Sequence, residues 1–435
     1  LQTPKQETTI SMSHRMILGA GMTGLSAGIR TGVPVYEAEM SPGGICSSYY
    51  MLPGDTTRYT NPSDSSEYYR FEYGGGHWIF GGDPELLSFI EQYSPLKRYA
   101  RSSAVLLPES GTYVPYPLQY HLSHIDPHTR ESALHELTSG SQGHIETMAD
   151  WVRLQFGATL NELFFSPFHE LYTAGLWTRI RPQDNYKTPL DKQLVIQGAE
   201  GKTPDVGYNA EFVYPEHGLD QLALKMAAQC DIQYGHRVIR IDVTQKQVHF
   251  ENGHSAPYDH IYSTLPLSHM INMTGLYPAQ PADPYSSVLV LNIGAERGPQ
   301  CPGEHWIYVP ESNSGFHRVG FYSNVDPHFV PGNNPGLASL YIERAFLPDE
   351  KPSEEEIRDY QKSVEEELRA WGMIEDVAVN DATWVDVAYT WSWPGSTWID
   401  EAIGLLKEQD ITMLGRYGRW HFQGIAASIK EGLAL

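Results

Sequence analysis

Three glycines, Gly19, Gly21 and Gly24 in the run ILGAGMTGLSAG, are the residues of this chain best spaced to do chemistry with an anion. The apolar residues Met16–Leu18 read as a strand that feeds a tight turn at Gly19. Gly21 leaves room for phosphates to approach the backbone. Gly24 lets the following helix lie close to the strand, and the free N–H groups at that helix start face the anion. Glu37 follows a second strand, Val33–Tyr36, about 20 residues beyond the turn, where an acidic side chain holds a ribose hydroxyl. A second glycine pair, Gly43-Gly44, comes directly after. A nicotinamide site has no need of it, whereas the longer flavin adenine dinucleotide (FAD) needs a second close approach of the backbone. Near the other end of the chain Trp384, Tyr389, Trp391, Trp393 and Trp398 crowd into one short stretch. Strand packing alone accounts for such a cluster, since tryptophan is mostly buried. It would also serve as an aromatic wall beside a flavin.

The elements that must position these residues follow from periodicity and turn chemistry. Residues 14–85 read as the start of a nucleotide-binding domain, strand–helix–strand. Residues 86–210 read as a mainly helical module, with amphipathic stretches at Pro84–Tyr93 and Ile145–Phe165, where Met148, Trp151, Val152 and Leu154 share a face. An alternating stretch near 105–120 turns at Gly111 and predicts a β-hairpin before those helices. Residues 211–280 return to the nucleotide domain. There Val238–Val243 and Gln247–Phe250 precede an Asn252-Gly253 turn, and His260–Leu265 rejoins the first sheet as a parallel strand. Residues 281–400 form a β-sheet module with an acidic amphipathic helix at 353–371, and residues 401–435 close the nucleotide domain. The fold class expected is α/β: a Rossmann-like FAD-binding domain in discontinuous segments, with an inserted helical module and an inserted antiparallel β-sheet module.

Composition bounds the partners. A chain of 435 residues, 41% hydrophobic and 19% charged, buries a large core in two or three domains. A net charge of −23 argues against nucleic acid and against anionic membrane surfaces, and requires local basic residues for any anionic substrate. Cys46, Cys230 and Cys301 make neither a metal spacing nor a disulfide framework, so no metal is expected and a reducing cytoplasm suits the chain. No apolar run approaches the ~18 residues of a membrane span. Residues 1–13 are polar and lack the apolar core of a signal peptide, and Met12 reads as a natural start after an added leader. The partner expected is a small molecule, and a homo-oligomer is open.

Several segments carry a family resemblance. Glu37 to Gly43-Gly44 resembles the E-x-x-x-x-x-G-G signature of the amine oxidase and protoporphyrinogen oxidase group of flavoproteins. Within that group the chain is similar to the UDP-galactopyranose mutases, the eukaryotic branch above all. Phe71-Glu72-Tyr73-Gly74-Gly75-Gly76-His77-Trp78-Ile79-Phe80 looks like the mutase loop against the flavin ring, and Tyr113-Val114-Pro115-Tyr116-Pro117-Leu118-Gln119 like the segment beside the uridine site. His305–Asn313 and Phe316-His317-Arg318-Val319 look like the sheet segment that brings a substrate tyrosine and arginine. Gly415-Arg416-Tyr417-Gly418-Arg419-Trp420 looks like the C-terminal contact to the flavin pyrophosphate. The resemblance covers nearly the whole chain from Arg15 on.

What the resemblance implies is specific. The cofactor is FAD, expected at Gly19, Gly21, Thr23, Gly24, Glu37, Ala38, Gly43, Gly44, Gly76, Val238, Gly415, Arg416 and Ser428. His77, Tyr308, Arg318 and Trp393 are the residues implied at the reacting centre, with Arg318 and Tyr308 on a diphosphate and His77 acting through backbone packing more than through acid–base work. Tyr116, Gln119, His169, Tyr172 and Phe422 are implied at the substrate. The activity implied is a redox-neutral pyranose–furanose isomerisation of a nucleotide sugar at N5 of reduced flavin.

The chain also departs from that family. The second diphosphate arginine has no clean counterpart, although Arg181 or Lys187 could take its place. His169 and Tyr172 stand near the family's asparagine and tryptophan, Trp393 replaces a tyrosine before proline, and Phe422 replaces a tyrosine that donates to phosphate. Gly424-Ile425-Ala426-Ala427 replaces Asn-Gln-Asp. Each loss removes a polar contact worth about 1–3 kcal/mol. Hydride removal from a small amine, alcohol or ring substrate by oxidised FAD, as in the related amine oxidases, is therefore the alternative to the mutase reaction. A flavin-carrying protein without catalysis is the third reading.

Overall fold

The computed structural model describes residues 14–140, 142–183, 190–202 and 210–435, and it is a mixed α/β molecule. Its nucleotide-binding core is a five-stranded, wholly parallel sheet in the order Ile411–Met413, His260–Ser263, Arg15–Leu18, Val35–Tyr36, Ile232–Gln233. Strands buried on both faces need short, nearly continuous apolar runs, and Met16, Ile17 and Leu18 supply one. The sheet gathers strands from three distant parts of the chain, as the sequence predicts. The helix Met22–Thr31 leaves the first strand through Gly19 and packs against the C-terminal helix Ile425–Leu433. A side-chain carbon on Gly24 would overlap the Gly19 carbonyl, so glycine is required for that close return of helix on strand. The antiparallel strands Val238–Asp242, Gln247–Phe250 and Ser255–Pro257 lie beside this core, turning at Gly253 with φ +83°.

The second large unit is a seven-stranded sheet: Ile374–Thr390, Tyr285–Arg297, Leu337–Phe346, Arg318–Phe321, Trp306–Tyr308, Ser103–Leu107, Thr112–Pro115. All neighbours are antiparallel except Trp306–Tyr308 and Ser103–Leu107, which run parallel. The expected hairpin is present with Gly111 at φ +63°, but it extends this sheet rather than standing among the helices. Its strand part ends at Pro115, and Leu118–Tyr120 is a 3₁₀ turn. Leu96–Ala100 pairs with Glu211–Pro215. Both pairings cross boundaries drawn from the sequence at 210 and 280, because sheet hydrogen bonding ignores distance along the chain.

Helices cap the open faces. In Met148–Leu160, Met148, Val152, Phe156 and Leu160 are buried at four-residue spacing, while Trp151 and Leu154 are half-buried beside that stripe. Gly157, at φ +77°, interrupts the run, a π-turn covers Asn161–Phe165, and Ser166–Tyr172 resumes the helix. Glu354–Ala370 starts with a capping box in which Ser353 and Glu356 satisfy each other's backbone N–H. Its Tyr360, Val364 and Leu368 pack on the seven-stranded sheet, with Glu354, Glu355 and Glu356 in the first turn, where negative charge complements the helix dipole. No described helix is long and apolar enough to cross a membrane.

Candidate active site and cofactor cleft

A cleft of about 440 Å³ runs from the first parallel strand to one face of the seven-stranded sheet. Gly19, Gly21, Thr23, Glu37, Gly43, Gly44, Gly76, His77, Gly415, Arg416 and Ser428 line it. The helix start at Gly21 has no side-chain cap and no acidic residue in its first turn, which leaves its N–H dipoles for an anion. A side-chain carbon built on Gly21 meets nothing within 4 Å, so the space in front of it is real. Glu37 is held rigidly, accepting from Ala20 N–H at 2.6 Å and from Glu39 N–H at 2.9 Å, while burial raises its pKa. Arg416 donates from Nη2 to the Ala388 carbonyl at 2.9 Å, and its buried Nε finds no partner among the described residues. A glycine-lined helix start, a fixed carboxylate and an unsatisfied guanidinium nitrogen fit a dinucleotide.

Three residues expected at the cofactor are absent from this wall. Gly24 serves by packing, as above. Val238 turns into the apolar cluster of Ile241 and Phe250, because its strand belongs to the small antiparallel sheet. Ala38 sits between Glu37 and Glu39, whose N–H the Glu37 carboxylate accepts, and its side chain does not line the cleft.

A second cavity, about 250 Å³, opens off the cleft. Gly76, Trp78, Phe80, Arg318, Tyr389 and Phe422 line both, so they mark the junction. Sheet register builds its polar wall: Tyr308 stands opposite Arg318, and Arg318 opposite Glu343, on three adjacent strands. Arg318 donates from Nε at 3.0 Å and from Nη2 at 2.5 Å to the buried Glu343 carboxylate. Burial opposes that charge, but the guanidinium and His317 outweigh burial and bring the Glu343 pKa down to about 2. Tyr116 packs on Tyr308 in a tilted arrangement with ring centroids 4.7 Å apart, and the Arg101 guanidinium lies 5.7 Å from the Tyr116 ring.

The other walls are aromatic. Trp151, Phe164, Phe165, Phe168, Tyr172, Trp306, Tyr341 and Trp391 all face this cavity. Tyr172 lies 4.8 Å from Tyr389 and 5.5 Å from Trp391, centroid to centroid. Two histidines are fixed as acceptors. Nδ1 of His169 donates to the Phe165 carbonyl at 2.6 Å and Nδ1 of His77 to the Gly75 carbonyl at 3.1 Å, leaving Nε2 of each without a proton. Burial lowers both to about 4, so both are neutral near pH 7. His77 lines the cleft and not the second cavity, and Gly76 beside it rests directly on Tyr341.

Arg318, Tyr308, Tyr116, His169, Tyr172 and Phe422 therefore meet in one place. Trp393 does not join them. The chain leaves the strand after Thr390, Trp393 Nε1 donates to the Ala282 carbonyl at 3.1 Å, and Arg179 covers its ring at 5.0 Å. Trp391 takes the wall position instead. Gln119 is fully buried in its 3₁₀ turn, outside the lining. Arg181 is exposed and tied by its backbone to Ser392, and Lys187 lies outside the described residues. Arg101, Glu343 and Tyr341 are site residues that sequence reasoning missed. Nothing local marks them, since the sheet brings them to the site.

Comparison with known proteins agrees with this architecture. Residues 20–399 match the family described as flavin containing amine oxidoreductase. A reduced UDP-galactopyranose mutase superposes with a TM-score of 0.83 at 21% identity, covering 97% of this chain and 92% of that one. A fatty acid isomerase from P. acnes that produces CLA gives 0.57 at 14% identity, covering 97% of each chain. Putrescine oxidase with bound putrescine gives 0.55 at 14% identity over the same shares. No curated protein matches the sequence. With the family model matched over most of its length, the chain belongs to the flavin-containing amine oxidoreductases and is an FAD-dependent enzyme.

Proposed function

We propose that this enzyme acts on a nucleotide sugar, in a mutase-type isomerisation that leaves no net oxidation. One observation carries the reading: Arg101, Tyr116, Tyr308 and Arg318 share a cavity that opens onto the cofactor cleft beside Gly76. A diphosphate brings charge that this acidic chain must meet locally, and two arginines flanking the tyrosines Tyr116 and Tyr308 are suited to it. Arg101 takes the place of the second arginine that the sequence lacks near 181. Bound FAD supplies a nucleophilic ring when reduced and a hydride acceptor when oxidised. The protein's share is to orient the sugar at the junction, to hold the diphosphate and to keep water out with its aromatic walls.

A second reading, hydride removal from a small amine, alcohol or ring substrate, draws on a different observation. Glu343 neutralises Arg318, and most of the cavity wall is aromatic. Titration of UDP, TDP and GDP into the FAD-loaded enzyme, followed by flavin absorbance, separates the two. Saturable UDP binding supports the mutase reading. A flat response to all three, with peroxide formed from an amine or alcohol, supports the oxidase.

A further inference from the structure

Glu343 is a buried charge on the cleft wall, paired with the junction residue Arg318, and the nucleotide-sugar reading gives it no role of its own. Three strands meet at it. Its oxygens take Nε and Nη2 of Arg318, and Nη1, which makes no hydrogen bond among the described residues, is the guanidinium nitrogen left for a ligand. The other polar and charged groups around the carboxylate are His317, with Nε2 at 3.5 Å and neutral through burial, and the Tyr389 hydroxyl at 3.5 Å. From the cofactor side Gly75 passes so close that a side-chain carbon there would sit 2.7 Å from Glu343 Oε1. The pair is thus wedged between the glycine loop of the cleft and the substrate cavity.

We propose that Glu343 is a positioning residue that cancels the charge of Arg318 while aiming Nη1 at the ligand, so that the junction offers hydrogen bonds without net positive charge. In a water-poor site an uncancelled guanidinium would act strongly on both neighbours. It would hold a diphosphate tightly in ground state and product alike, which does not speed a reaction. It would also favour electron-rich reduced flavin and raise the cofactor's reduction potential. Glu343 sets both quantities.

The ligand half of this inference rests on the nucleotide-sugar reading, and the potential half does not. The test compares FAD-loaded wild type, E343Q, R318Q and R318Q/E343Q. The two readouts are the affinity for UDP and for inorganic pyrophosphate at fixed ionic strength, and the two-electron midpoint potential of the flavin. E343Q is expected to bind both ligands about tenfold more tightly and to raise the potential by about 30 mV, the equivalent of a tenfold change. R318Q is expected to lower the potential by a similar amount, and the double variant to restore it while binding UDP poorly. Weaker UDP binding with an unmoved potential in E343Q would overturn the proposal and leave Glu343 a scaffold residue. Should E343Q not fold, the R318Q and double-variant pair decides: equal potentials in these two overturn it, and recovery upholds it. Failure of every form to bind UDP and pyrophosphate defeats the nucleotide-sugar reading, and the potentials still decide the role of Glu343.

Discussion

At the residue scale, Gly24 and Arg318 make opposite demands on their surroundings. Gly24 needs an absence: one added methyl overlaps the Gly19 carbonyl. Gly24→Ala should therefore push the Met22–Thr31 helix off its strand and lower the flavin-to-protein absorbance ratio of the purified enzyme severalfold. Arg318 needs a partner on each side. Arg318→Met removes Nη1 from the cavity and strands Glu343 without a counterion. UDP affinity should fall about 10- to 100-fold, the ~1.5–3 kcal/mol of hydrogen bonds to a charged group, as measured by calorimetric titration. The glycines are legible in the sequence because close approach is a local property, set by neighbours a few residues away. Arg318 and Tyr308 are legible through their resemblance to a known family. Glu343 and Arg101 are not, since their roles arise from strand pairings between segments far apart in the chain. Trp393 is misread for a related reason: the departure of the chain from its strand, which no composition reveals, hands the wall position to Trp391.

At the element scale, two features lend themselves to stability measurements. The capping box at Ser353 anchors the acidic helix Glu354–Ala370 on the outer face of the seven-stranded sheet. Ser353→Ala should cost about 1 kcal/mol, with a lower melting temperature and unchanged flavin content. His305 is buried next to the Trp306–Tyr308 strand and accepts from Ser102 N–H through Nδ1, which requires a neutral ring. Burial lowers its pKa to about 4 from an ordinary 6.5. Between these values the unfolded chain takes up a proton that the folded one refuses. Stability should then fall as pH drops from about 6.5 towards 4, by about 1 kcal/mol per pH unit from this group. His305→Gln keeps an acceptor and does not titrate, so its denaturation midpoint should depend less steeply on pH over that window. The helix and strand periods of the chain foretell most of these elements, including the hairpin at Gly111. They do not foretell that the hairpin joins the large sheet, nor that Gly157 and a π-turn break the helical run before Ser166.

At the scale of the whole molecule, a parallel sheet assembled from three distant segments lines one end of the cleft, and the seven-stranded sheet with its helices lines the second cavity. The cleft draws walls from residues near 20, 40, 76, 343 and 416, segments that meet only in the folded chain. Added FAD should raise the melting temperature of cofactor-depleted protein, by linkage, because it binds only the assembled form. That the parallel sheet draws on distant segments is readable from the chain's alternation of patterns. The reaction is not, because net charge and aromatic content alone do not separate a diphosphate site from an oxidase pocket. The most direct test incubates the dithionite-reduced enzyme with a panel of UDP-hexoses under anaerobic conditions, with sugars resolved by chromatography and the flavin spectrum followed throughout. The expected result is an isomeric UDP-sugar over many turnovers with the flavin still reduced. Absence of isomerised product from every UDP-hexose, together with bleaching of oxidised flavin by an amine or alcohol, would contradict it.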